Sequence, residues 1–237
     1  MDGAPPRPAE GVVAGVDGAR GGWVVATLGP GEDCPRVALV ARFADVADAI
    51  AQRELSFVAI DMPIGLSPAA PRECDIAARR LLGPRRSSVF PTPVRATLGA
   101  ASYADALARS RAACGRGLSR QSYNLLAKIA EVESAVRVIS QDRVSETHPE
   151  LAFAAIAGAP MAEPKRTAAG LAARWAALGA VFTGVEAVAG QRLRPAAADD
   201  VVDACALAWS ARRQFAGQGQ RVGHGDDGTG LRMEVCW

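Results

Sequence analysis

An α/β fold built on a mixed five-stranded sheet is what this sequence predicts, and three observations predict it. Apolar runs and helical periodicity succeed one another in the order β-β-β-α-β over residues 11–60. The first run, Val12–Val16, has no polar alternation, as expected of a central strand buried on both faces. The chain is rich in alanine with only 5% aromatic residues, which favours helices laid on a compact sheet. At 49% hydrophobic and 22% charged, its 237 residues are globular in character and enough to bury a core.

Met1–Glu10 is Pro-rich with no apolar core, so it reads as a disordered tail and not as a signal peptide. Gly11–Leu28 reads as a hairpin: Val12–Val16 and Trp23–Leu28 flank the small-residue turn Gly18–Gly22, with Asp17 at its mouth. Pro30–Pro35 is a loop and Val37–Ala41 a third strand. Val46, Ala49 and Ile50 give Ala44–Glu54 a helical spacing, opened by Asp45. Phe57–Ile60 is a fourth strand that ends in Asp61-Met62-Pro63. It follows a helical crossover, so it should lie parallel to the first.

A long excursion, about residues 65–141, comes next and reads as a helical insertion over one end of the sheet. It holds helices at Pro71–Leu82 and Tyr103–Arg111, an irregular Arg85–Arg95, and a long helix from the Ser119 cap to about Val138. Arg143–Glu146 is the fifth strand. Pro149 opens a helix over Glu150–Ala157, and Thr167–Leu178 and Asp199–Phe215 are further helices. Val181–Val188 reads as a short strand or turn, Gly217–Gly230 as a Gly-rich loop and Leu231–Trp237 as a terminal strand.

No apolar run approaches the ~18 residues of a membrane span. Five cysteines (Cys34, Cys74, Cys114, Cys205, Cys236) form no CxxC pair, which points to reduced thiols and a cytoplasmic protein. With two histidines, a structural zinc site is not expected. The net charge of +2 hides an asymmetry: Arg72–Lys128 carries +8 and the remainder −6. A basic segment on an acidic chain suggests a polyanion partner; a solvated Arg-rich surface is the plain alternative.

The carboxylates carry the chemistry. Asp17 and Asp61 each follow an apolar strand, and parallel neighbours would bring both to one sheet edge, where α/β sheets bind ligands. Glu146 ends a third strand in the same way. Asp200 and Asp203 share one helix face, and Asp199 reads as a cap. Grouped acids stay ionised together only around a cation, and oxygen donors suit Mg²⁺ or Mn²⁺. Each acid also has a bland reading: turn former for Asp17 and Asp61, helix cap for Asp200, ion pair with an insertion arginine for Glu146. Asp45, Asp48, Glu131 and Glu133 read as cap or surface acids. Arg72, Arg79, Arg85, Arg86 and Arg95 are candidate phosphate contacts. Lys128 is a candidate counter-charge to the acids, Lys165 with Arg166 a phosphate neutraliser or a solvated pair, and His148 a base, phosphate contact or helix cap.

The segments GVDGARGGW, AIDMPIG, RECDIAARRLLGPRRSSVFPTPVR, GLSRQSYNLLAKIAEVE, ETHPELAF and DDVVDACALA resemble domain-of-unknown-function family 429, described as predicted nucleases of the RNase H fold. The resemblance covers about residues 11–213, and SSVFPTPVR and ETHPE are its most specific pieces. More distantly, the acids and the Asp-x-x-Asp helix are similar to the RuvC-type junction resolvases. The resemblance implies a single RNase H-like domain over 11–237, with Asp17, Asp61, Asp200 and Asp203 in the positions of metal ligands. It gives Glu146 and Glu150 no role.

The expectation is therefore a divalent-metal nuclease hydrolysing DNA or RNA. Asp17, Asp61 and Asp203 would hold Mg²⁺ or Mn²⁺, Asp200 or Glu146 would complete the shell, and Arg85, Arg86, Arg95, Lys128, His148 and Lys165 would meet the substrate. Two alternatives stand beside it: an ATP-dependent phosphotransferase on the actin and sugar-kinase type of core, and a non-catalytic nucleic-acid-binding module. No membrane partner is expected, and the oligomeric state is open.

Overall fold

The opening hairpin forms as β1 (Val13–Ala19) and β2 (Gly22–Leu28), with Gly21 at φ +86° in the turn. These come from a computed structural model that describes residues 11–69 and 71–237; the tail expected at 1–10 lies outside the described residues. β3 (Arg36–Val40) follows, then α1 (Phe43–Ala51), whose first turn contains Asp45 although Arg42 is its N-cap. β4 (Phe57–Ile60) lies parallel to β1, and β5 (Val144–Glu146) parallel to β4. The sheet order is β3-β2-β1-β4-β5, antiparallel within the hairpin meander and parallel beyond it, which is consistent with an RNase H-like core.

Between β4 and β5 lie α2 (Glu73–Leu82), two 3₁₀ turns at Gly83–Ser88 and Arg95–Thr97, α3 (Tyr103–Cys114) and α4 (Arg120–Ile139). The Ser119 hydroxyl caps α4, as its sequence predicts. α4 does not cap the end of the sheet. Its Ile129, Val132 and Val136 join Ala14, Val16, Trp23, Val58, Ile60 and Val144 in one buried layer with α1. The excursion therefore supplies a full covering helix, because its apolar stripe matches one sheet face.

The other face carries α5 (Pro149–Ala157), α6 (Ala168–Gly179), the short α7 (Glu186–Ala189) and α8 (Ala198–Phe215). Val13, Val24, Ala26 and Ala59 pack there against Val201, Ala204, Leu207 and Ala208. The approach of α8 depends on Gly15. A Cβ at that position would lie 2.1 Å from the Ala208 nitrogen and 2.2 Å from the Ala204 carbonyl oxygen. The helix backbone rests on the strand backbone, and α8 uses alanines where it does so.

Near the C-terminus, Val181–Val188 takes the turn of its two expected forms and leads into α7, its Val185 and Val188 buried against the α8 layer. The terminal strand shrinks to β7 (Val235–Cys236), paired with β6 (Arg221–Val222) in a small separate ladder. Asp227 ties the Gly-rich loop down, accepting from the N–H groups of Leu66, Thr229 and Leu231 and from Arg95.

Gly15→Ala is expected to destabilise the protein by about 3 kcal/mol or more, because backbone cannot yield as a side chain can. Gly179→Ala, with open space around its Cβ, should be neutral or slightly stabilising. Urea denaturation midpoints of the two variants check the contrast.

Candidate functional site

Strand register builds a carboxylate cluster. Val16 and Ile60 are partners in the β1–β4 pair, and the Asp61 N–H donates to the Val16 carbonyl at 3.0 Å. Asp17 and Asp61 thus stand side by side one residue past that rung. Alternation turns both toward α8, the face on which Val13 and Ala59 are buried. Because α8 lies directly on Gly15, its first turns bring Asp203 and Asp200 over the same spot. Asp61, Asp203 and Asp200 all act electrostatically on Asp17.

These acids are costly to keep charged. Burial, then Asp61 and Asp203, push the Asp17 carboxyl well above the ordinary range. Burial also raises Asp61, against the pull of His148 and Lys165. Burial pushes Asp203, 1% exposed, up to about 6 despite Lys165. Asp200 sits at the half-buried rim. It accepts from the Ala197 N–H at 2.8 Å and so makes half of a capping box, the cap reading that Asp200 shared with Asp199 in the sequence.

Lys165 offsets this charge. Its Nζ donates to Asp203 Oδ2 at 2.5 Å, is 3.9 Å from Asp199, and acts on Asp17 and Asp61. Burial works against the ammonium, yet Asp203 and Asp17 hold its pKa above the usual lysine range. The lysine belongs to the loop before the Thr167 cap of α6, and its side chain is 33% exposed. Lys128, on α4, also acts electrostatically on Asp17 and Asp200, as the counter-charge its position suggested; its Nζ donates to the Gly22 carbonyl at 2.5 Å and lies 3.9 Å above the Trp23 ring.

Glu146 is not in the cluster. The β4–β5 register pairs it with Ile60, so alternation points it to the α4 side of the sheet, away from Asp17 and Asp61. There Arg72 grips both its oxygens, at 2.7 and 2.6 Å, and also Asp75 at 2.5 Å. The Ile64 N–H donates to it as well. Burial lifts the Glu146 carboxyl to about 7, with Arg72 opposing. Of its two sequence readings, the ion pair with an insertion arginine is the one formed.

The insertion arginines are mostly spoken for. Arg72 is buried in that triad, Arg79 donates to the Val89 carbonyl at 2.7 Å, and Arg95 binds Glu133 at 2.8 Å as well as Asp227. Arg85 comes to 4.0 Å from Glu150, its Nε buried and unpaired, and Arg86 is exposed. His148 caps α5: its Nδ1 accepts from the Glu150 N–H at 3.2 Å, which leaves Nε2 facing the Ser88 carbonyl at 3.3 Å. Glu131 is no surface acid. It accepts from the Trp23 indole at 3.2 Å and from the Phe43 N–H, holding α4 to β2 and α1.

Sequence reasoning gave Glu150 no role, yet it acts electrostatically on both Asp61 and Asp203. It is buried at the start of α5, paired with the buried Arg174 at 2.6 Å. The signal was the His-Pro-Glu turn, in which Pro149 sets the first helical residue and Glu150 follows inside the fold.

The donor chemistry fits a hard divalent cation: the set is oxygen-only, and Asp203 Oδ1 is buried with no hydrogen-bond partner. Lys165 occupies that electrostatic role instead. Among the described residues, no three His, Cys, Asp or Glu side chains are grouped tightly enough to hold a metal as they stand. No helix among them is long and apolar enough to cross a membrane.

The model of the family described as "Protein of unknown function (DUF429)" matches residues 15–227, which takes in every acid of the cluster. No curated protein and no solved structure matches the chain.

Two outcomes follow from the electrostatics. In chelator-treated protein, stability should fall as pH rises from about 4 to about 6. The folded chain there still binds a proton at Asp203 that the unfolded chain releases, so this stabilisation is complete below the unfolded pKa and lost through the folded one. Asp203→Asn should flatten that slope and be more stable than the parent at pH 7, read by thermal melts across pH. Arg72→Met should cost about 3–5 kcal/mol in chemical denaturation, because it strands Glu146 and Asp75 as buried charges.

Proposed function

The chain belongs to the DUF429 family, and we propose from the site itself that it is a divalent-cation-dependent phosphodiesterase acting on nucleic acid. The observation that carries this reading is the convergence of Asp17, Asp61, Asp200 and Asp203 from three separate elements at the carboxyl ends of two parallel strands. A fold gains no stability from such a group. Burial penalises every member, and Lys165 is the one ammonium set against Asp203. Structure that costs stability in this way is the mark of a working site.

In this reading Asp17, Asp61 and Asp203 hold Mg²⁺ or Mn²⁺, with Asp200 at the rim. The bound ions would supply a nucleophilic water near neutral pH and neutralise charge on the phosphate. The residues of the chain do the rest. Asp17 and Asp61, held side by side by the β1–β4 register, would face the cations together. Lys165, on a loop and partly exposed, would be free to meet a non-bridging phosphate oxygen once a cation took its place at Asp203. In the hydrolysis a water oxygen bonds to phosphorus, the bond to the leaving sugar oxygen breaks, and that oxygen takes a proton.

A panel of labelled single-stranded, duplex and branched DNA and RNA, incubated with Mn²⁺ or Mg²⁺, tests the reading. Cleavage should need the cation and drop at least about 100-fold in Asp17→Asn. Lys165→Met should bind Mn²⁺ more tightly than the parent yet cleave more slowly, since it loses both the competitor and the phosphate contact. Binding of nucleic acid without cleavage, unchanged in Asp17→Asn, overturns the proposal in favour of a binding module.

A further inference from the structure

We propose that Phe90 is a stacking platform for an unpaired nucleobase beside the carboxylate cluster, so that the substrate is nucleic acid single-stranded or unstacked at the cleaved step. The inference rests on the phosphodiesterase reading above and gives it a substrate class. Phe90 and Asp61 line one cavity at the carboxyl ends of β4 and β5, together with His148, Thr92 and Arg72. The cavity measures 20 Å³, room for about one water. A base cannot enter it, so only the solvent-facing part of the half-buried Phe90 ring is open to one.

The packing of the protein does not account for this ring. Of the six phenylalanines, Phe43 lies in the α1–α4 layer, and Phe57, Phe153, Phe182 and Phe215 lie in the α8 layer. Phe90 joins none of the buried clusters. Among the described residues its ring meets no other aromatic ring and no cation.

Its backbone, by contrast, is pinned on both sides. Arg79 donates to the Val89 carbonyl at 2.7 Å, the Ser122 hydroxyl to the Pro91 carbonyl at 3.2 Å, and Arg72 to the Thr92 hydroxyl at 3.2 Å. Pro91 also restricts Phe90 to extended backbone. A segment tied to α2 and α4 in this way presents the ring in one place, and a preformed platform spares the ordering cost of binding. Every base has a π-face, so stacking on such a ring tolerates any sequence. A base inside a duplex has both faces covered and must leave the stack to reach it. The approach also suits a polyanion: Arg80 and Arg86, on the turns of chain before Phe90, are exposed and form no ion pair among the described residues.

The test uses the full chain with fluorescein-labelled DNA and RNA strands: single-stranded, fully duplex, and single-stranded with one abasic position moved along the strand. Cleavage is measured with Mn²⁺, binding by fluorescence anisotropy with Ca²⁺ in its place, and folding by thermal melting. The parent should cleave single strands at least about 10-fold faster than duplex. An abasic site at one position should weaken its binding about 10-fold. Phe90→Leu keeps an apolar plug over the cavity but offers no flat face. It should raise KM about 10-fold and become indifferent to that abasic site, whereas Phe90→Trp should keep the parent's KM and abasic profile. A ring that only sealed the cavity would leave the abasic profile unmoved by either change. Should Phe90→Leu fail to fold, the parent and Phe90→Trp carry the test, and an abasic profile flat at every position overturns the platform. If the parent cleaves duplex as fast as single strands, or if Phe90→Leu retains the abasic profile, Phe90 is no platform and the phosphodiesterase reading stands. If the parent binds single strands through Phe90 without cleaving them, the platform stands and the phosphodiesterase reading falls. If the parent binds no nucleic acid, both fall.

Discussion

The contact between α8 and β1 governs the rest of the molecule. At Gly15 the helix backbone lies so near the strand that no side chain fits between them. That contact sets the height of α8 above the sheet, and with it the distance at which Asp200 and Asp203 face Asp17. Alanines at 204, 208 and 211, all buried, continue the seam along the strand. A larger residue anywhere on it would lift the helix and open the cluster.

The second constraint is electrostatic. The cluster concentrates negative charge in a dry place, and the fold answers with a lysine from a loop where a helix or strand residue would have been rigid. The pairing of Lys165 with Asp203 is therefore the part of the site with freedom to change. Nearby, Arg72 with Glu146 and Arg174 with Glu150 are locked by several hydrogen bonds each. Buried pairs of this kind add little stability for their cost. Their effect here is to fix α2, α5 and α6 around the strand ends. The +8 segment takes part in this: Arg72, Arg79 and Arg95 hold the insertion to the body of the fold, and a smaller set, Arg86 among them, remains exposed.

Much of the fold was legible because its signals are local. Strand runs, the Ser119 cap and the α4 stripe follow from side-chain periodicity and capping chemistry, which need no partner to be read. Asp17 and Asp61 were legible for the same reason, since each directly follows an apolar run and the crossover helix implies parallel strands. The errors share a different cause. Glu146 looked equivalent to Asp61, but register shifts it by one residue, and in a strand one residue is the opposite face. Thr147, whose N–H donates to the Ile60 carbonyl, holds the place that sequence grammar gave to Glu146. Glu131 and Arg95 looked like solvent-facing charges because their partners, Trp23 and Phe43 for one and Glu133 and Asp227 for the other, include residues about 90 to 130 positions away.

By itself the sequence determined which elements form, the α/β order, and the identity of four of the acids, because hydrophobic period and helix caps act within a few residues of chain. Only the tertiary structure decided which carboxylates meet. Register chose Asp61 over Glu146, and the Gly15 contact brought Asp203 down to Asp17. Such choices depend on separations of a few ångströms between segments distant in sequence, and those separations are set by packing, which no local pattern encodes.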